Sequence, residues 1–129
     1  MSPEFLTLQD VLEIHALQLE RFGGAEGVRD RGLLESAVAQ PQVTFGGDFV
    51  HADLFSMAAA YLFHLVRNHA FVDGNKRVGL LAALVFLDIN GITIESGSDV
   101  LYELTMAVAD GRAEKDEIAE VLRQVAKGG

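Results

Sequence analysis

Apolar residues recur at helical spacing over most of the chain. The first such stretch contains Leu8, Val11, Leu12, His15, Leu19 and Phe22. Thr7 precedes this stretch as an N-cap, and Asp10 lies three residues later as its partner in a capping box. Gly23 and Gly24 follow the last apolar residue, as glycines at the ends of helices do. The pattern therefore predicts a first helix over about 8–22.

Five more helices follow from similar signals. The second is capped by Asp30 and stopped by Pro41, and the third is rich in Ala, Leu and Phe. The fourth is apolar on nearly every face beyond Arg77, which is typical of a helix at the centre of a domain. The predicted ranges are about 30–40, 52–68, 74–90, 98–109 and 114–126.

The segments between these helices are mostly short. Residues 23–29 are glycine-rich but lack the Gly-Lys-Ser/Thr ending of a P-loop, so we interpret them as a connector. Residues 42–50 place β-formers around Gly46 and Gly47, which predicts a hairpin or a loop. Residues 92–94 form a short extended piece. The expected fold is all-α, with about six helices and one small β element, in a single domain over 1–129.

Composition and charge narrow the classes of function. Hydrophobic residues make up 50% of the chain, which can supply a real core. Cysteine is absent, which excludes disulfides and thiolate metal sites and fits a reducing cytoplasmic setting. We expect no signal peptide and no membrane span, because the apolar run Val78–Leu87 is well short of the ~20 residues that a bilayer requires. The net charge of −9 argues against direct nucleic-acid binding, which usually needs a basic face.

One charged segment separates the two most apolar helices. From Leu54 to Leu87 the formally charged residues are Arg67, Asp73, Lys76 and Arg77. Charge in an apolar setting is costly unless it is paired, hydrogen-bonded or bound to a ligand. Together with a histidine and an asparagine, this inventory suits a site for a metal-bound polyphosphate.

The start of the fourth helix is the predicted anion site. Its unpaired N–H groups carry a partial positive charge, and Gly74 allows close approach, so the amides of residues 74–77 can surround an oxyanion. Lys76 and Arg77 oppose the helix dipole by ~0.3–1 kcal/mol each, and a bound anion would reverse that effect. The alternative is a pair of solvent-facing bases at a frayed helix start.

Asp73 and His69 each have two interpretations. Asp73 either supplies a carboxylate to Mg²⁺, which commonly takes one or two, or caps the fourth helix. His69 either accepts a hydroxyl proton as a general base or is structural. The other histidines, His15, His51 and His64, are interpreted as structural.

Two neighbouring residues complete the candidate site. Phe71 is expected to bury its ring under the loop and fix the shape of the loop. Arg67 either reaches the same phosphates or acts as a cation favoured by the dipole at a helix C-terminus.

The central segment resembles a known family motif. It reads His69-x-Phe71-x-Asp73-Gly74-Asn75-Lys76-Arg77 and is similar to the motif of the Fic/Doc family. More closely, it resembles the death-on-curing (Doc) toxins of bacterial type II toxin–antitoxin pairs. The longer Doc pattern also resembles residues 19–24, 29–37 and 82–91. The resemblance implies a Fic/Doc-like bundle of about six helices around the histidine-bearing loop, with a small β-hairpin flap.

This family moves part of ATP onto a protein hydroxyl, and two positions bear on which part is moved. Adenylyltransferase members have a glycine after the asparagine and a second arginine, where this chain has Lys76 and Leu80. Lys76 intrudes on the phosphate cradle, and Leu80 cannot bind a γ-phosphate. Doc-type members share both departures and resemble protein kinases that bind ATP the other way round. Val78 stands where many relatives carry a threonine.

The resemblance to Doc implies ATP and Mg²⁺ as cofactors and a threonine of elongation factor Tu as the acceptor, so that translation stops. His69 would activate the hydroxyl, and Asp73 would hold Mg²⁺. The residues that would hold phosphates are Gly74, Asn75, Lys76, Arg77 and, in an assisting role, Arg67.

The resemblance also implies partners. Residues 42–50 would form a flap to which an extended target segment adds as a strand. The flap positions are Val43, Thr44, Phe45, Gly46 and Gly47. The inhibitory [ST]-x-x-x-E-[GN] helix of some Fic proteins is absent from this sequence. Control is therefore expected from a cognate antitoxin whose flexible tail folds as a helix in the groove of the toxin.

Two alternative functions stay open. One is a protein adenylyltransferase on the same scaffold. The other is a catalytically idle binding module that acts only through its antitoxin.

Overall fold

Six α-helices, one 3₁₀ turn and a two-stranded sheet make up residues 2–127, the part of the chain that the computed structural model describes. In chain order the helices are α1 Leu8–Phe22, α2 Arg31–Ala39, α3 Leu54–Asn68, α4 Asn75–Ile89, α5 Ser98–Ala109 and α6 Lys115–Ala126. The strands are β1 Thr44–Phe45 and β2 Asp48–Phe49. The predicted all-α fold with a small hairpin is confirmed. Within residues 2–127, no helix combines the length and the apolar character needed to cross a membrane.

The first helix begins and ends where its caps predict. The Thr7 hydroxyl accepts from the Asp10 N–H at 3.0 Å, and the Asp10 carboxylate accepts from the Thr7 N–H at 2.8 Å. Gly23 has a φ of 77° and donates its N–H to the carbonyl of Leu19. Both ends therefore satisfy backbone groups that the helix itself leaves unpaired.

The second helix ends where the proline predicts. Helix α2 ends at Ala39 with Gln40 as its C-cap, and Pro41 lies buried in a 3₁₀ turn, Gln40–Gln42, that follows directly. Proline is tolerated there because a turn of this kind leaves its first N–H groups unbonded. Residues 92–94 form neither a helix nor a strand. Ile92 and Ile94 instead pack as half-buried side chains against the core.

Helices α3 and α4 form the centre of the molecule. Helices α2, α5 and α6 pack on α3, and α1 packs on α4. The two central helices approach closely at Gly79, where a Cβ would lie only 2.6 Å from Cγ2 of Val66. Because these helices carry apolar side chains on most faces, the loop that joins them starts and ends at the core.

The hairpin is held at one side only. Its register pairs Thr44 with Phe49 and Phe45 with Asp48. Gly46 and Gly47 have φ values of 61° and 89°, as a two-residue hairpin turn requires. The Phe49 ring packs edge-on against Phe5 at 5.5 Å, and Phe5 stacks on the buried ring of Phe86 at 5.8 Å. The turn and the other face of the hairpin remain in solvent.

Candidate active site

The loop between α3 and α4 begins at a strained residue. His69 is the C-cap of α3 and has φ 49° and ψ 46°. Among residues 2–127 it is the one residue other than glycine with a positive φ. A left-handed conformation costs an ordinary residue roughly 1–2 kcal/mol, and such strain persists only where the surroundings enforce it. The contacts around His69 supply that enforcement.

The first part of the loop is paired with residues 27–30. The carbonyl of Ala70 accepts from the N–H groups of Arg29 at 2.7 Å and Asp30 at 3.0 Å. The Arg29 guanidinium also donates to the carbonyl of His69 at 2.7 Å. Residues 23–29 are therefore more than the connector that we predicted, because they form a template for the loop. No local signal indicated this, since the paired segments lie about 40 residues apart in the chain.

Asn75 fixes the middle of the loop from the start of α4. Its side-chain oxygen accepts from the Phe71 N–H, and its side-chain nitrogen donates to the Phe71 carbonyl, each at 3.0 Å. Both polar atoms of the Asn75 side chain are therefore bonded to the backbone of the loop. The predicted contact of Asn75 with phosphate stays a prediction.

Phe71 and His15 lie beneath the loop. The Phe71 ring is 1% exposed and stacks on the His15 ring, with centroids 3.9 Å apart and planes 12° apart. His15, on α1, is 6% exposed, and its Nε2 lies 2.9 Å from the carbonyl oxygen of Asp73. His15 therefore connects α1 to the loop. The available signal was a polar residue on the apolar stripe of α1, which we interpreted only as structural.

Asp73 lies at the surface, held by backbone groups on two sides. Its carboxylate accepts from the Ala25 N–H at 3.2 Å and from the Gly74 N–H at 2.9 Å. These bonds, first that from Ala25 and then that from Gly74, hold the pKa of Asp73 below its ordinary value, and the charge of Arg77 adds to the effect. Gly74, with φ 82°, is the N-cap of α4. The alternative role of Asp73 as the helix cap is therefore wrong.

A cavity of about 950 Å³ opens beside the loop and the start of α4. Its polar end is lined by His69, Asp73, Gly74, Asn75, Lys76 and Arg77. Its apolar end is lined by side chains of α4 and α5, including Leu80, Leu84, Leu101 and Met106. The arrangement brings a histidine, a carboxylate and two cations to one open space with an apolar wall, which is suited to a ligand with a charged and an apolar part.

Three predicted features lie elsewhere. Arg67 does not line this cavity, since its guanidinium lies 5.2 Å from the centroid of the Phe63 ring and beside Gly111. The side chain of Val78 is buried in the core. The hairpin positions 43–47 are exposed and are not part of the cavity wall.

Comparison with known proteins identifies the family of the chain. Residues 5–87 match the model of the Fic/DOC family, and the chain belongs to that family. It is 44% identical to Toxin Doc of Mycolicibacterium smegmatis over 121 residues, which cover 92% of this chain and 91% of that protein. It is 32% identical to Protein kinase doc of Escherichia phage P1 over 125 residues, with 97% and 94% covered. The resemblance inferred from the motif is confirmed.

Proposed function

We propose that this chain is the toxin of a type II toxin–antitoxin pair and that it acts as a protein kinase. It transfers the γ-phosphoryl group of ATP to a threonine hydroxyl of elongation factor Tu, which arrests translation. One observation carries the proposal: an exposed histidine, His69, lines the same cavity as a cationic helix start. The names of the two relatives, a toxin and a protein kinase, support it.

The transfer needs one proton acceptor. The His69 imidazole takes the proton of the threonine hydroxyl, and the hydroxyl oxygen attacks the γ-phosphorus. The bond from that phosphorus to the β–γ bridging oxygen breaks, and ADP leaves with the electron pair. Such a reaction depends on positioning and on neutralising charge more than on covalent help from the protein, and general-base catalysis contributes roughly 10²–10⁴ in rate.

The cations at the start of α4 suit the phosphates. Lys76 and Arg77 are exposed, line the cavity and take part in no ion pair of the described residues. Arg77 instead stacks over the Phe22 ring at 4.4 Å, which orients its guanidinium. Two exposed cations beside the amides of a helix start favour a polyphosphate ligand.

Asp73 fits the requirements of Mg²⁺. Its low pKa keeps the carboxylate ionised near neutral pH, and its exposed oxygens retain lone pairs beyond the two backbone bonds. Within residues 2–127, no group of three or more His, Cys, Asp or Glu side chains is arranged to hold a metal. A cation at Asp73 would therefore complete its shell with phosphate oxygens and water, as Mg²⁺ commonly does. When bound, it would neutralise part of the phosphate charge.

Two cavity residues favour phosphoryl over adenylyl transfer. The side chain of Lys76 occupies the place where adenylyltransferase members have a glycine, and Leu80 contributes an apolar wall where they have a second arginine. Both changes act against the adenylyltransferase orientation of the triphosphate. Adenylyl transfer remains the second candidate, since it uses the same base and the same helix start.

The remaining surface supports the proposed protein partners. Phe45 is 85% exposed at the end of the hairpin, and a target segment that adds to this hairpin would cover it. Tyr102, 61% exposed, lines the cavity. A helix formed by the tail of an antitoxin would bury such side chains and close the cavity.

Labelled ATP distinguishes the candidates. The purified chain is incubated with elongation factor Tu, Mg²⁺ and ATP that carries the label at either the α or the γ position. We expect transfer of the γ label, and none with His69→Ala. Transfer of the α label would instead identify an adenylyltransferase. No transfer of either label, with unchanged growth arrest by His69→Ala in cells, would indicate a binding module.

A further inference from the structure

We propose that His15 is a positioning residue that locks the peptide between Asp73 and Gly74, with its carbonyl turned away from the phosphates. This inference rests on the proposed function, because it assigns the phosphate end of ATP to the start of α4. His15 lies on α1, and no residue of α1 lines the large cavity. The helix does contact a cavity residue, since the Phe22 ring lies under the Arg77 guanidinium.

The geometry of His15 is specific to this peptide. Its Nε2 lies 2.9 Å from the Asp73 carbonyl oxygen, and the acceptor is a carbonyl, so Nε2 carries the proton and donates. A Cβ on Gly74 would lie 3.7 Å from the His15 Cδ2, which shows how closely the imidazole approaches. His15 lines a second cavity, of about 400 Å³, on the α1 side of the loop. The Asp73 carbonyl therefore points toward α1.

Without a restraint, the peptide between Asp73 and Gly74 could rotate. Gly74 has φ 82° and no side chain, so a rotation of the preceding peptide meets little steric resistance. A flipped peptide would direct the Asp73 carbonyl toward the large cavity, where a negative dipole opposes bound phosphate. It would also remove the Gly74 N–H from the Asp73 carboxylate, a bond of 2.9 Å in this structure. The hydrogen bond from His15 disfavours that state.

The lock acts on the phosphates and not on the rest of the nucleotide. Gly74 and Asp73 line only the polar end of the cavity, whereas Leu80, Leu84 and Met106 line the apolar end. Loss of the lock should therefore weaken ATP and pyrophosphate alike, and leave the binding of adenosine unchanged. A general loss of structure would weaken all three ligands.

Three variants separate positioning from packing. His15→Phe keeps a ring that can stack on Phe71 but removes the donor. His15→Gln restores a donor without the ring. Val11→Ala, one turn earlier on the same buried face of α1, removes buried volume and carries no polar group. Melting temperature, the dissociation constants of ATP, pyrophosphate and adenosine in Mg²⁺, and the kcat and KM of transfer are measured for each.

The expected result is selective. Loss of one hydrogen bond should raise the dissociation constants of ATP and pyrophosphate about 5- to 10-fold in His15→Phe. The KM for ATP should follow, and kcat at saturating ATP should stay within about twofold. His15→Gln should recover most of the phosphate affinity even where its melting temperature is lower than that of His15→Phe. Val11→Ala should keep the affinity of the parent.

Other results overturn the inference. Parental affinity of His15→Phe for pyrophosphate would do so, as would an equal loss in Val11→Ala. The binding measurements do not depend on transfer. A parent chain that binds ATP and pyrophosphate but transfers no phosphoryl group would contradict the proposed function and leave the comparison of His15 variants valid.

Discussion

At the scale of single residues, His69 combines chemistry with strain. Its left-handed conformation turns the chain from α3 into the loop, and Arg29 and the paired segment 27–30 hold it there. Glycine adopts this conformation without the same cost. Glycine would therefore suit the backbone at position 69 better than histidine, but it lacks the imidazole that the proposed reaction requires.

Two substitutions of His69 should separate stability from activity. Both His69→Gly and His69→Ala should lose transfer and growth arrest, because neither carries a base. His69→Gly should nevertheless be more stable than His69→Ala by about 1 kcal/mol, since alanine retains the cost of the left-handed conformation. Urea denaturation measures the difference. Equal free energies of unfolding would mean that the loop relaxes when the imidazole is removed.

Asn75 and Lys76 are neighbours with different expected roles. Asn75→Ala removes both hydrogen bonds to the Phe71 backbone and should lower the free energy of unfolding by about 1–3 kcal/mol. Lys76→Ala removes an exposed cation and should change stability little, while weakening pyrophosphate binding. Denaturation and pyrophosphate titration of both variants test this. A stable Asn75→Ala with weakened pyrophosphate binding would instead support a direct phosphate role for its side chain.

At the scale of elements, the helices were predictable and the loop template was not. Caps such as Thr7 and Asp30 act within three residues, so their signals are visible in the sequence. The pairing of residues 27–30 with the loop joins segments about 40 residues apart, and no local pattern contains that information. The motif contains the residues that line the polar end of the cavity. It did not indicate the direction of Arg67 or the bonds of Asn75, because side-chain direction depends on tertiary packing.

His64, at the contact between α3 and α6, should make stability depend on pH. Burial, and then the charges of Lys115 and His51, lower the pKa of His64 from 6.5 to about 4. The Lys115 ammonium lies 3.4 Å from the His64 Nε2. The imidazole is therefore neutral in the folded chain at pH 5, whereas the unfolded chain binds a proton there.

Stability should consequently fall as the pH decreases from about 6.5 toward about 4. Allowing for solvent screening, the loss assigned to His64 should be about 1–2 kcal/mol. His64→Gln should show a smaller difference in the free energy of unfolding between pH 7 and pH 5. Carboxylates titrate in both proteins, so the comparison isolates the imidazole. The same difference in parent and variant would contradict the assignment.

At the scale of the whole molecule, the close approach of α3 and α4 sets the frame for the site. Gly79 permits that approach, because a Cβ there would overlap Val66 and lie 3.2 Å from the Leu62 carbonyl oxygen. The loop that carries His69 spans the ends of these two helices. A change in their spacing would therefore alter the loop as well as the core.

Gly79→Ala should lower the free energy of unfolding by about 1–3 kcal/mol, as overpacking of a core does. Val66→Ala alone should also destabilise, by leaving a cavity. The double variant should lose less than the sum of the two, since each change makes room for the other. A denaturation series on the four proteins measures this coupling. Strict additivity would mean that the helices shift apart to accept the methyl group.

Most of the residues that line the cavity and most of those that hold its loop in shape come from different segments of the chain. The residues that line the large cavity run from His69 to Met106. Apart from Asn75, the groups described as shaping its loop come from an earlier segment, at His15, Ala25 and Arg29. The exposed turn at Gly46–Gly47 lies between these two segments. We expect that cutting the backbone there yields two fragments that show no transfer alone, and that mixing the two fragments restores the proposed transfer. The proposed toxin would then be inactive as two separate fragments and active once the fragments are combined.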